Sequence, residues 1–145
     1  MKTLILDASV AIKWIYEEED SERAHKILDK IQSQDLRAIV PELFYCEMAD
    51  FCWGKFQKKL MKFEQAGMFF NRIQAVKVEI RSDAEFADVA LENAMHYGVS
   101  VYDGLYLSLA EAYLAPLLTA DQKLIQACRS KNFDFIESLQ EIDLA

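Results

Sequence analysis

Four acidic residues stand where short apolar stretches give way to helical ones: Asp7 in LILDAS, Glu47 in YCEMAD, Asp103 in VYDGLY and Asp121 in LTADQK. Gathering carboxylates without a compensating cation is costly, because burial and mutual repulsion both disfavour the charged form. Brought together, they suit a metal site for phosphodiester chemistry. A carboxylate cluster without His or Cys favours a hard, oxygen-seeking cation, Mg²⁺ or Mn²⁺ rather than Zn²⁺. A plainer explanation exists for three of them: Asp is a favoured helix N-cap, so Asp7, Asp103 and Asp121 could each serve backbone amides alone. Glu47 is different, because Leu43, Phe44 and Phe51 flank it at helical spacing, together with Asp50. A carboxylate among such groups needs a partner.

The elements that must position these acids follow from the apolar pattern. Lys2 to Leu6 reads as a buried strand ending at Asp7, followed by a helix from Ser9 to about Tyr16 and another from Asp20 or Ser21 to Ile31. Arg37 to Val40 reads as a second strand, with Pro41 in the first turn of a helix that carries Glu47. A helix from Glu64 to Ala75 leads to a strand at Val76 to Ile80, and a helix from Ala84 to Tyr97 stops at Gly98. Val99 to Tyr102 feeds a helix starting near Asp103. Leu117 to Thr119 forms a strand, Asp121 opens a helix to about Arg129, and Phe133 to Ile136 adds a last short strand. Strands alternating with helices imply a parallel sheet covered on both faces, with its site beyond the carboxyl ends of the strands.

Composition narrows the alternatives. The 145 residues, 52% of them hydrophobic, suffice for one domain with a real core, and no linker or repeat calls for a second. The early apolar run Leu4 to Leu6 is cut by Asp7, too short for a signal-peptide core or a membrane span, which places the chain in the cytoplasm. Cys46, Cys52 and Cys128 show neither disulfide nor zinc spacing and read as reduced core thiols. A net charge of −8 argues against tight nonspecific nucleic-acid binding but not against a nuclease whose cations cancel charge locally. His25 and His96 lie in no catalytic motif and read as solvated or structural.

Two surface features bear on partners. Lys55, Lys58, Lys59 and Lys62 fall at i, i+3, i+4 and i+7, one stripe on a continuous helix that could guide RNA phosphates or simply be solvated. Trp14, Tyr45, Trp53 and the run Met68, Phe69, Phe70 are more aromatic and sulfur-rich surface than one small core obviously needs, though most are expected inside.

The ordered segments LILDASVAIKW, VPELFYCEMAD, SVYDGLYLSLAEA and PLLTADQKLIQA together resemble the PIN-domain nucleases, specifically the VapC-type toxin ribonucleases, over essentially the whole chain. That resemblance implies a single PIN domain over residues 1–145, a three-layer α/β/α fold with a mostly parallel twisted sheet. It further implies Mg²⁺ or Mn²⁺ held by Asp7, Glu47, Asp103 and Asp121, with Ser9 and Thr119 as supporting hydroxyls. The implied reaction is RNA hydrolysis leaving 5′-phosphate and 3′-hydroxyl ends. A homodimer and an antitoxin lying across the middle helices are implied as partners, with an antitoxin Arg or Lys able to enter the acidic pocket. Gly104 departs from the usual helix former at its position and is expected to loosen the turn after Asp103.

Phosphatases of the haloacid-dehalogenase type need a second Asp two residues after the first, where this chain has Ser9, and receiver domains need an adjacent acidic pair that Leu6 and Ala8 exclude. The remaining alternative is a catalytically silent PIN-like module that binds RNA or protein.

Overall fold

The computed structural model describes all 145 residues. Its central sheet has the order β3-β2-β1-β4-β5, every neighbouring pair parallel. The strands are β1 (Lys2–Leu6), β2 (Leu36–Pro41), β3 (Glu79–Arg81), β4 (Leu117–Thr119) and β5 (Ile136–Ser138). Helices α1 (Ala8–Ile15), α2 (Ser21–Gln32), α3 (Leu43–Gln57) and α4 (Phe63–Ala75) precede β3; α5 (Asp83–Tyr97), α6 (Val101–Tyr113) and α7 (Gln122–Ser130) follow it.

Strand alternation divides the core between the two faces of the sheet. Leu4, Leu6, Ala38, Val40 and Leu118 join Val10, Trp14, Ile27, Phe44, Met48 and Ile73 in one cluster under α1 to α4. Their neighbours Ile5, Ile39 and Leu117 point the other way, to Tyr106, Leu107, Leu124 and Cys128 of α6 and α7. Residues two apart share a face and residues one apart do not, so near-continuous apolar strands fill two cores at once. This is the three-layer architecture expected, with the sheet entirely rather than mostly parallel.

The chain reverses its direction of travel across the sheet at β1. It steps outward from β1 to β2 to β3, then returns to place β4 on the opposite side of β1. The loops after β1 and β4 therefore part from each other, and a cleft opens at their carboxyl ends.

Several boundaries differ from those the sequence suggests. Pro41 ends β2 opposite Arg81 instead of opening a helix; it lies beyond Ile39, the last β2 residue paired with β1. The third strand is Glu79–Arg81 rather than Val76 to Ile80, and the last is Ile136–Ser138 rather than Phe133 to Ile136. Helix α6 starts at Val101, because Ser100 rather than Asp103 is its cap: the Ser100 hydroxyl accepts a hydrogen bond from the Asp103 amide at 3.0 Å. Cys46 is exposed, unlike Cys52 and Cys128. Of the aromatic and sulfur residues, Trp14 is buried, its indole donating to the Ala24 carbonyl at 2.8 Å, while Trp53 and Met68 are exposed.

Gly104 has the opposite effect to the one expected. A Cβ at this position would stand 2.3 Å from the Ala90 carbonyl oxygen of α5, so glycine permits α5 and α6 to pack with their backbones in contact. Asn93 of α5 reinforces the pair by donating to the Glu111 carboxylate at 2.7 Å. The helix carrying Asp103 is thereby fixed rather than loosened. Gly104→Ala should destabilise the protein by about 1–3 kcal/mol through overpacking, despite alanine's higher helix propensity. Equilibrium urea denaturation measures this, and a variant as stable as the wild type would refute the packing argument.

Candidate metal centre

All four acids face one cleft of about 320 Å³, lined also by Ser9, Asp50 and Phe51. Asp7 follows β1 and precedes α1; Asp121 follows β4 and precedes α7. Glu47 comes from the second turn of α3 and Asp103 from the first turn of α6. A larger apolar hollow of about 670 Å³, among Met1, Leu36 and Val78, lies near the amino ends of β1 and β2 and gathers no such cluster.

Hydroxyl groups sew the two strand ends together. Ser9 and Thr119 both donate to Asp7 Oδ2, at 2.6 and 2.7 Å, and their own oxygens lie 3.2 Å apart. The Ala120 amide donates to Ser9 Oγ at 3.0 Å and the Asp121 amide to Thr119 Oγ1 at 3.1 Å. Ser9 and Thr119 thus orient the Asp7 carboxylate. Across the cleft, Tyr106, 1% exposed, donates its hydroxyl to Glu47 Oε1 at 2.6 Å.

The capping explanation holds for one acid. Asp121 Oδ1 accepts from the Lys123 and Leu124 amides and does cap α7. Asp7 occupies the cap position of α1 without a side-chain capping bond, and Asp103 is not a cap at all. Capping therefore leaves Asp7, Glu47 and Asp103 unexplained.

The electrostatics are those of an uncompensated cluster. Burial pushes the Asp7 carboxyl up against the pull of its two hydroxyl donors, and the charges of Asp103 and Asp121 push the same way. Glu47 is pushed up to about 7, first by burial and then by the charges of Asp7, Asp103 and Asp83, against the Tyr106 hydrogen bond. Asp103 is raised by burial first, with the charge of Asp121 adding to it. No Lys or Arg forms an ion pair with any of the four.

The donor set fits a hard divalent cation. Its members are all oxygen, and Asp7 Oδ1, Glu47 Oε2 and Asp121 Oδ2 accept no protein hydrogen bond. Since no buried polar side-chain atom is without a partner, the free oxygens of Asp7 and Glu47 reach solvent, and Asp121 is itself exposed. No group of three acidic side chains is closed tightly enough to grasp an ion by itself.

Some features of the cleft escape a search for the quartet alone. Asp50 and Phe51 line the cleft beside Glu47, and Tyr106 lies one helical turn beyond Asp103 in DGLY, where i+3 spacing was the available signal. The lysine stripe, in contrast, does not form. Helix α3 ends at Gln57, Lys59 takes a left-handed φ of 61°, and Lys62 caps α4, so the four lysines cannot share one helical face. The break is a closed C-terminal turn: the Leu60 amide donates to the Lys55 carbonyl and the Lys59 amide to the Phe56 carbonyl.

Fold and cleft define a parallel α/β protein with an all-oxygen acidic centre at its strand ends. Residues 4–130 match the PIN domain, and the chain belongs to that family. It is 32% identical over 127 residues to Ribonuclease VapC3 of Pyrobaculum aerophilum, spanning 85% of this chain and 92% of the relative. Among solved structures, PAE2754 of Pyrobaculum aerophilum superimposes with a TM-score of 0.71 at 17% identity, covering 96% of this chain and 85% of that one. A toxin-antitoxin complex from Klebsiella pneumoniae gives 0.65 at 13% identity, covering 96% and 99%. These two structures share the fold.

Raised carboxylate pKa values penalise the folded state once the groups ionise. For Glu47 the penalty is complete above about 7 and absent below the ordinary value of 4.5. In the absence of divalent cation, Glu47→Gln should therefore gain stability relative to wild type as pH rises from about 5 to about 8. Thermal melts across that range check the sign, and parallel curves for the two proteins would contradict it.

Proposed function

We propose that this chain is an endoribonuclease dependent on Mg²⁺ or Mn²⁺ and the toxin of a toxin–antitoxin pair. The observation that carries the proposal is the meeting of Asp7, Glu47, Asp103 and Asp121 at one cleft with no basic side chain to neutralise them. Membership of the PIN family and the named ribonuclease relative support RNA as the substrate.

The free oxygens of Asp7, Glu47 and Asp121, with the Asp103 carboxylate, would hold the cation. When bound it supplies Lewis acidity and draws phosphodiester charge into a pocket that would otherwise repel it. Ser9 and Thr119 keep Asp7 from rotating away, and Tyr106 does the same for Glu47. A carboxylate of the cluster would take the proton from an attacking water. Attack in line with the departing 3′ oxygen then leaves a 5′ phosphate and a 3′ hydroxyl.

The antitoxin would use a groove of about 380 Å³ between α3 and α4, walled by Cys52, Trp53, Phe56, Phe63 and Phe70. Trp53 and Phe63 are 54% and 77% exposed, and the Trp53 and Phe56 rings stack at 6.0 Å. Exposed aromatic area on this scale marks a protein interface. An antitoxin Arg or Lys could also reach into the acidic cleft and displace the cation. A second copy of the chain completes the proposed assembly, which sedimentation at increasing concentration tests.

Cleavage of RNA by the purified protein should vanish in EDTA and return with Mg²⁺ or Mn²⁺. Asp7→Asn and Asp103→Asn should fold and lose activity to background, and Tyr106→Phe should lose about 10- to 100-fold. End-mapping should find 5′ phosphates. Undiminished cleavage in chelator or 2′,3′-cyclic phosphate ends would overturn the metal-dependent mechanism, and toxicity preserved in the two Asn variants would replace the enzyme with a silent binding module.

A further inference from the structure

Where the sequence offered four lysines for RNA, the structure separates one of them from the rest. Lys55 Nζ lies 4.5 Å from the centroid of the Tyr16 ring and 5.3 Å from that of Phe51, and the two rings meet edge to face at 5.7 Å. Phe51 is itself a wall of the acidic cleft. The ammonium group therefore rests against a wall residue of the cleft, seated by residues from the end of α1 and the middle of α3.

We infer that Lys55, seated on the Tyr16 and Phe51 rings, binds a phosphate of single-stranded RNA adjacent to the one cleaved, with the two aromatic side chains as its positioning residues. The inference rests on the reading of the cleft as a ribonuclease site.

The first argument concerns charge. The cleft is lined by five carboxylates, Asp50 included, on a chain of net charge −8, so an approaching RNA strand meets strong repulsion except where a cation faces it. A bound divalent ion would offset this at the scissile phosphate but leave the flanking phosphates unaided. Lys55 is a fixed positive charge beside the cleft, and no carboxylate neutralises it: it forms none of the ion pairs that engage Lys13, Lys26, Arg37, Arg81 and Arg129.

The second argument concerns order. A solvent-exposed lysine samples many rotamers and loses that freedom on binding, whereas a cation resting on two ring faces has given up much of it already. Ring quadrupoles hold an ammonium group without cancelling its charge, so its N–H groups stay available to an anion. Lys58, Lys59 and Lys62 have no such seat: they occupy the turn between α3 and α4 and are exposed.

The test uses the full chain, a fluorescein-labelled single-stranded RNA and Mg²⁺, with binding read by anisotropy in an Asp103→Asn background and cleavage read separately with Asp103 intact. Lys55→Gln should weaken binding about tenfold and make the salt dependence shallower by about 0.7 in log–log slope, the loss of one phosphate contact. In cleavage it should raise KM in the same proportion while kcat stays within about twofold. Lys55→Arg should restore both binding and slope, because a guanidinium also stacks on aromatic rings and binds phosphate. Tyr16→Leu with Phe51→Leu should weaken binding in part with the slope retained, its melting curve checked against wild type. Lys26→Gln, which removes the same charge on α2, no residue of which lines the cleft, should change nothing. A Lys55→Gln effect no larger than that of Lys26→Gln, or an unaltered salt slope, overturns the inference. Absence of cleavage by the wild type with the Lys55 binding loss intact would instead overturn the ribonuclease reading and keep the lysine as a nucleic-acid contact.

Discussion

Like charges are kept together at one cleft with no Lys or Arg paired to them, and the structure around the cleft answers to that repulsion. Three of the four carboxylates are drawn upward in pKa, burial leading in each case, so the folded chain bears a standing electrostatic cost wherever they are ionised. A flexible scaffold would relax by letting the acids swing into solvent. This one prevents it by anchoring one oxygen of Asp7, Glu47 and Asp121 and leaving the other free.

The anchors come from different layers of the fold, which makes the cleft a property of the whole architecture rather than of a loop. Ser9 and Thr119 join the ends of β1 and β4, the point at which the chain changes direction across the sheet. Tyr106 reaches from α6 to α3. Helix α3 is held in place at its start by Asp83, whose carboxylate accepts from the Leu43 amide, while Glu42 returns the bond by accepting from the Asp83 amide. Helix α6 is held by its backbone contact with α5 at Gly104. Moving any one helix by an ångström would separate carboxylates that belong to different ones.

The parts of this arrangement visible in the sequence are those encoded locally. An apolar strand broken by Asp7 marks the end of β1, and Leu-Leu-Thr before Asp121 marks β4, so the topology placed both acids at the same edge of the sheet. Contacts between elements distant in sequence were not visible. Nothing local tells that Gly104 meets Ala90, and helix propensity alone gave the wrong sign for its effect. The lysine spacing failed for a related reason: periodicity assumes an unbroken helix, and a left-handed Lys59, where glycine is more usual, ended it two residues after Gln57 had closed the regular turns. Cys46 was misplaced because the lack of disulfide or zinc spacing, from which it was read as a core thiol, does not say which face of α3 it occupies.

That last error has a structural explanation. Phe44, Met48 and Cys52, four residues apart, turn into the core. Glu47, Asp50 and Phe51 face the acidic cleft, and Ala49, Trp53 and Phe56 face the groove against α4. With 3.6 residues per turn, three such rows occupy nearly the full circumference, so α3 lacks the single polar face that would identify an outer helix. An apolar residue on it can therefore belong to core, site or groove, and only the packing of its neighbours decides which. Because the rows are carried on one rigid rod, the orientation that seats Met48 beneath the sheet also fixes where Glu47 enters the cleft. Core packing and site geometry on this helix are consequently one constraint, and a change in the first cannot leave the second untouched.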